Sequence, residues 1–294
     1  MPHNLPLQVT SFVGREREIA RVKDLLAGHR LVTFTGPGGT GKTRLALQVA
    51  ADVLPDFKDG VWLVELAALR DPALVPQAVA AAVSVRGEPG RPLTATLIDA
   101  LKPKRLLLIL DNYEHLLDAC AQVADALLRA CPQVHLLATS REALGIDGET
   151  TWRVPSLTLP DAHAPLAVER LSQYEAIKLF IDRALAVQPS FQVTNQNAPA
   201  VAQICHRLDG IPLAIELAAA RVRVLPPEQV LARLEDRFRL LTGGSRTALE
   251  RHQRLEAAVS WSYDLLTDQE KTLFNRLSVF AGGWTLEVAE QVCA

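Results

Sequence analysis

The sequence predicts an α/β fold: a five-stranded parallel sheet, then an all-α region, then a shorter helical unit. Three observations carry this. Short apolar runs alternate with helical patterns through the first half, at 31–35 (LVTFT), 60–65 (GVWLVE), 105–110 (RLLLIL), 134–139 (VHLLAT) and 151–154 (TWRV). Strands this apolar, separated by helices, belong to a parallel sheet covered on both faces. A Pro-rich stretch, VPSLTLPDAHAPLAVERL, then ends the alternation, and from 172 onward only helical patterns remain.

In the first half the expected helices lie near 41–54, 72–84, 94–102 and 113–130. The Pro-rich stretch is expected to be a linker or surface connection. Beyond it, Ser172 and Glu175 have capping-box spacing ahead of AIKLFIDRALAV. A helix through APAVAQICHRLD should stop at Gly210. IPLAIELAAARVRVL opens with Pro212 at a first-turn position, where its missing N–H costs nothing. PPEQVLARLEDRFRLL follows, and TGGSRT breaks the pattern. Helices are then expected near 253–265, 267–280 (with a capping box at Thr267 and Glu270) and 285–293. The chain stops just past an apolar position with no finishing element, which predicts a piece of a longer protein.

Composition narrows the function class. With 294 residues, 49% hydrophobic and 22% charged, the chain has enough apolar residue for a core, and its length suits about two domains. The net charge of -2 gives no global drive toward nucleic acid or acidic lipid. The four cysteines form no C-x-x-C pair, and Cys120 and Cys131, on one helix, stand roughly 16 Å apart at about 1.5 Å per residue. They are expected to be reduced thiols. The first twelve residues have neither the charged start nor the apolar run of a secretory signal, and no apolar run approaches the ~18 residues a membrane span needs. A cytoplasmic protein without membrane contact is expected. The seven histidines show no ligand spacing.

The chemistry concentrates in LVTFTGPGGTGKTRLALQVA. Gly36, Gly41, Lys42 and Thr43 match G-x-x-x-x-G-K-[ST] after a strand and before a helix, the context that a phosphate-binding P-loop requires. Glycines let backbone N–H groups curl around a phosphate, and the helix N-terminus adds partial positive charge. Lys42 should reach the β- and γ-phosphates, and Thr43 should offer its hydroxyl to Mg²⁺. Gly36, Pro37, Gly38, Gly39, Thr40, Gly41, Lys42, Thr43 and Arg44 form the expected nucleotide-binding stretch.

KRLLLILDN ends a buried strand in Asp111, facing the same crevice, and a carboxylate there suits Mg²⁺. Asn112 follows where fast ATPases of this architecture carry an acid. An amide can orient water but cannot take its proton. Glu114 is either a substitute base or a first-turn acid favoured by the helix dipole. Slow hydrolysis is expected in both cases. VHLLATSRE ends a strand in Thr139, Ser140 and Arg141, from which a guanidinium can report the γ-phosphate. Glu216, alone in an apolar helix, is expected to be a partnered structural charge.

In order and spacing these motifs resemble the STAND class of signalling P-loop ATPases, NB-ARC branch, over nearly the whole chain. FVGREREI resembles the entry motif of that family, which implies that the backbone near Val13 and the side chain of Arg15 lie by the nucleotide. GPGGTGKT and LLLILDN resemble its two Walker elements, and ATSRE its first sensor. LDGIPLAIELAAA is similar to the G-x-P motif whose proline, here Pro212, packs on the nucleotide from a helical domain. SWSYDLLTDQEKTLFNRLSVFAGGW resembles the start of a winged-helix domain. Implied domains are 1–160 (nucleotide binding), 168–243 (helical) and 250–294 (partial winged helix). The implied function is an ATP/ADP switch with Mg²⁺, one nucleotide touching two domains, with self-association on activation and effector or sensor domains outside this chain. Two departures stand out. Asn112 replaces the second acid, and the later winged-helix half, with its ADP-sensing histidine, is absent from these residues. The competing expectation is a DNA-binding regulator. Its candidate recognition helix, TLEVAEQVCA, offers Glu287 and Glu290 and no Arg or Lys, so direct DNA binding is disfavoured.

Overall fold

The computed structural model describes residues 1–161, 171–234, 263, 266–280 and 285–293. The expected helix near 253–265, apart from Tyr263, and most of the second half of PPEQVLARLEDRFRLL lie outside the described residues.

The sheet is parallel, with strand order β2-β3-β4-β1-β5. Its strands are β1 (Leu31–Thr35), β2 (Val61–Glu65), β3 (Leu106–Asp111), β4 (Val134–Thr139) and β5 (Glu149–Arg153). The helices packed around it are α1 (Glu16–Gly28), α2 (Lys42–Val53), α3 (Val75–Ala82), α4 (Leu93–Leu101) and α5 (Leu117–Ala130). The period-2 geometry of a strand explains why β3 is apolar at every position before its Asp. Leu106, Leu108 and Leu110 enter the core under α3, α4 and α5. Leu107 and Ile109 enter the opposite core, with α1 and α2. At roughly 1.5–3 kcal/mol for each such side chain fully buried, these five residues anchor both layers.

The second half is helical: α6 (Glu175–Val187), α7 (Ala198–Arg207), α8 (Pro212–Ala219), α9 (Pro227–Arg233), α10 (Asp268–Leu277) and α11 (Leu286–Cys293). Helices α6 to α9 share a core of their own around Phe180, Val201, Ile204 and Ile215.

Several expectations change. Helix α1 was not foreseen, although Val22, Leu25 and Leu26 give it a buried stripe. The helix expected from 113 begins at Leu117, because Asn112 is left-handed (φ 63°) and Tyr113–Leu116 close a turn through Leu116 N–H to Tyr113 O, 2.7 Å. The stretch 72–84 divides into a 3-10 turn, Pro72–Leu74, and α3. The Ser172 capping box does not form: α6 starts at Glu175 after Tyr174. Its place is taken by Thr158, whose hydroxyl accepts the Glu175 N–H at 3.0 Å. The Thr267–Glu270 box forms as expected, and Pro212 opens α8. The described part of the Pro-rich stretch is pinned rather than loose. Leu157 is buried in the helical core, and its N–H donates to Gly210 O at 3.0 Å.

Candidate functional site

The loop Gly36–Gly41 joins β1 to α2 at the carboxyl edge of the sheet. Gly36, Gly39 and Gly41 have φ of 137°, 82° and 87°, a region that side-chain-bearing residues avoid. No side chain caps the start of α2 and no acid occupies its first turn, which leaves its leading N–H groups suited to an anion. Lys42 folds back across the loop, its Nζ donating to Gly36 O at 2.7 Å and Pro37 O at 3.0 Å. Thr40 is buried, and its hydroxyl donates to Pro37 O at 3.0 Å. Gly38 and Gly39 form the turn that follows Pro37.

Asp111 ends β3 beside Thr139 on β4. Its Oδ1 accepts from Thr43 Oγ1 at 2.7 Å and from Thr139 Oγ1 at 2.5 Å, and the residue is 8% exposed. A hydroxyl and a carboxylate therefore converge as hard oxygen donors, which fits Mg²⁺ better than a softer metal. Among the described residues no cluster of three His, Cys, Asp or Glu side chains gathers, so a metal here would rest on few protein ligands.

Asn112 has a backbone reason to be an amide: asparagine tolerates the left-handed region better than most residues. Its N–H donates to Thr139 O at 2.9 Å, while its side-chain Nδ2 is buried without a hydrogen-bond partner. Glu114 and Arg141 leave the ends of adjacent strands β3 and β4 and meet. Arg141 Nε lies 3.5 Å from Glu114 Oε1, with side chains 20% and 7% exposed. Arg141 thus pairs with Glu114 across the adjacent strand ends. Tyr113, next to Glu114 in sequence, is fully buried, its hydroxyl donating to Glu142 O at 3.2 Å, and burial raises its pKa.

Arg15 is 3% exposed and left-handed, φ 67°. Its Nη2 donates to Thr40 O at 2.7 Å and to Pro155 O at 3.0 Å, bracing the phosphate loop from below. Its Nη1 is buried without a hydrogen-bond partner. Burial lowers the guanidinium pKa, against the opposing pull of Glu18 and Glu175. Val13 packs against the helical core.

The helical unit touches the loop directly. Leu213 N–H donates to Gly39 O at 3.2 Å, and a Cβ on Gly39 would stand 3.1 Å from Leu213 Cβ. A Cβ on Gly41 would lie 3.8 Å from Pro212 Cγ. Arg44, expected with the phosphate residues, turns elsewhere. Its Nη2 donates to Thr10 O (3.0 Å) and Ser11 O (2.9 Å), and its Nη1 donates to Glu216 Oε1 (3.3 Å). Glu216 also accepts from Arg183 Nε at 2.9 Å, so it is a partnered charge as expected.

Two residues here carry roles that local sequence does not show. Thr139 in sequence is only a strand end, yet its hydroxyl donates to Asp111 Oδ1. Glu175 has the spacing of a cap, yet its Oε1 accepts the Arg15 N–H at 2.5 Å and its Oε2 the Thr158 N–H at 3.1 Å. Only the fold brings these partners together.

The fold and this loop define a P-loop ATPase. A family model described as an AAA domain matches residues 26–145. The chain is 46% identical to an uncharacterized protein of Mycobacterium tuberculosis over 292 residues, 99% of this chain and 71% of that protein, and it belongs to the family of that protein. It is also 48% identical over 273 residues to a M. tuberculosis protein provisionally named an HTH-type transcriptional regulator, covering 93% of this chain but 29% of that one. Among solved structures, the Walker-type ATPase of Pyrococcus abyssi shares the fold, with a TM-score of 0.53, 15% identity, and coverage of 81% of this chain and 76% of that chain.

Proposed function

We propose that this P-loop ATPase is an ATP/ADP switch of the STAND class, NB-ARC branch, with one nucleotide held between the sheet domain (1–160) and the helical domain (168–243). A single observation carries the reading: the hydrogen bond from Leu213 N–H to Gly39 O, with Pro212 beside Gly41. A ligand on that loop touches both units, so ATP and ADP can favour different arrangements through differential affinity.

In this reading Lys42 and the loop N–H groups hold the phosphates, and Arg15 keeps the loop in shape. Val13 and Pro212 border the nucleotide. Thr43 and Asp111 would hold Mg²⁺, which supplies charge neutralisation to the phosphates when bound. Arg141 faces the terminal phosphate. Hydrolysis is slow in this reading, with an amide, Asn112, where fast ATPases of this architecture carry an acid. Nucleotide-dependent self-association, and effector or sensor segments beyond residues 250–294, complete the switch.

The experiment is to denature the purified protein and resolve the released nucleotide by anion exchange. ADP near one equivalent is expected; GTP, or no nucleotide before and after incubation with ATP, overturns the reading.

The name of the longer mycobacterial relative favours a second reading, transcription control. This chain spans 29% of that protein, and α11 presents Glu287 and Glu290 with no Arg or Lys among its residues. Output through DNA is therefore assigned to segments outside this chain. Salt-sensitive retention of DNA by these 294 residues would contradict that assignment.

A further inference from the structure

We infer that Arg141 and Glu114 form an exchange pair: the terminal phosphate of ATP takes Arg141 from Glu114, and Glu114 so released is the base for the attacking water. The inference rests on the reading of this loop as an ATP site and goes beyond it by assigning the base and what holds it inactive.

The geometry is specific. Asp111 and Thr139 are register partners on β3 and β4. Glu114 stands three residues beyond the first and Arg141 two beyond the second, so their side chains meet at the edge where Asp111 and Thr43 converge. The contact is ionic rather than a hydrogen bond, with Nε to Oε1 at 3.5 Å. Glu114 Oε2 is buried without a hydrogen-bond partner. Leaving a buried acceptor unsatisfied costs about 1–3 kcal/mol, and more for a charged group, so nothing in packing alone favours a carboxylate here. Glu114 is thus a carboxylate with one oxygen facing a cation and the other without a donor, which suits an incoming water.

Asn112 does not compete for this role. Its left-handed backbone turns the chain, and an amide has no proton-accepting function at neutral pH. Without a terminal phosphate, Arg141 neutralises Glu114. With ATP, a phosphate of higher charge competes for the guanidinium through bidentate geometry. The water oxygen then bonds to the γ-phosphorus, and the bond from phosphorus to the β,γ-bridging oxygen breaks, its electron pair staying with ADP. The water proton passes to Glu114 and then to the phosphate product. Nothing is oxidised or reduced.

Affinity carries the signature that a purely structural pair lacks. Competition between Glu114 and ATP for Arg141 means that Glu114→Gln should tighten ATP binding about fivefold or more, within the range of such couplings, and leave ADP unchanged. The same change should slow single-turnover hydrolysis about 10²-fold or more. Arg141→Ala should weaken ATP, not ADP. In an Arg141→Ala background, Glu114→Gln should no longer alter the preference for ATP over ADP.

The test measures ATP and ADP dissociation constants and single-turnover hydrolysis for wild type, both single variants and the double variant of the full chain. An unchanged ATP-to-ADP ratio in Glu114→Gln overturns the exchange. A ratio that shifts equally with Arg141 absent also overturns it, because the effect is then general charge. Hydrolysis unaffected by Glu114→Gln removes Glu114 as base. If wild type binds neither nucleotide, the underlying site reading has failed instead, so the two failures are distinct.

Discussion

The backbone N–H of Arg15 donates to Oε1 of Glu175 at 2.5 Å, across 160 residues of sequence. This bond ties the entry to α1 to the first residue of α6. Arg15 passes the constraint on through Thr40 O to the phosphate loop. Glu175 therefore acts on the loop from the helical unit without touching it.

Glu175→Ala removes a charge-assisted acceptor from two N–H groups and should cost about 1–3 kcal/mol. Gly14→Ala should cost a similar amount by a separate route. A Cβ there would stand 2.7 Å from Glu175 Cγ, and Gly14 has a φ of +72°. Denaturant unfolding checks both. Midpoints unchanged from wild type would show that the Arg15–Glu175 bond carries no stability.

The second constraint is the pair of cations on Glu216. Arg44 and Arg183 reach it from α2 and α6, and both donate to Ser11 O. Burial lowers the Arg44 pKa, and Glu216 partly restores it. With Arg44 and Glu216 side chains 34% and 30% exposed, their pairing should be worth only about 1 kcal/mol after solvent screening. Arg44→Ala, Glu216→Ala and the double variant, compared by thermal melts at low and high salt, should give that coupling energy, shrinking with salt. A coupling that salt leaves constant would mean that packing dominates.

Much of this was legible in the sequence, and what escaped has a common cause. The apolar runs located β1, β3 and β4 because those strands bury both faces, whereas the edge strand β5, found from its shorter run, is only partly buried. Phosphate-loop, Asp111 and Arg141 positions followed from their place at strand ends. Partners separated by long loops did not. Glu175 has capping-box spacing from Ser172, and local spacing gives no hint that its carboxylate goes to Arg15. Arg141 sits next to Glu142 in sequence but beside Glu114 in space, because adjacent parallel strands align their ends. Asn112 read as a missing acid; its positive φ adds a conformational reason that composition does not reveal.

Lys42 and Asp111 should fail differently. Lys42→Ala removes charge that acts on phosphates directly, so ATP binding should weaken about tenfold to a hundredfold with or without metal. Asp111→Asn should matter mainly with Mg²⁺ present. Titration calorimetry in Mg²⁺ and in EDTA separates them. Equal metal dependence in both variants would remove Asp111 as the metal ligand.

Buried thiols give a pH prediction. Burial pushes Cys120 and Cys205 from an ordinary 9.0 up to about 12. Each raised pKa favours the folded state fully below pH 9.0, and that contribution is lost as pH rises from there toward about 12. Native alkylation at pH 8 should therefore spare both, and stability should decline above pH 9. Prompt native labelling of Cys205 would show that its site opens.

The most direct test of the switch is amide hydrogen exchange at Leu213 and Arg15, whose N–H groups bond Gly39 O and Glu175 across the two units. Exchange is compared in wild-type protein saturated with ADP and with a non-hydrolysable ATP analogue. A switch with one nucleotide between two domains predicts different protection at these two amides in the two states, by about tenfold or more, corresponding to ~1.4 kcal/mol. Identical protection with both nucleotides, each shown to be bound, would contradict it.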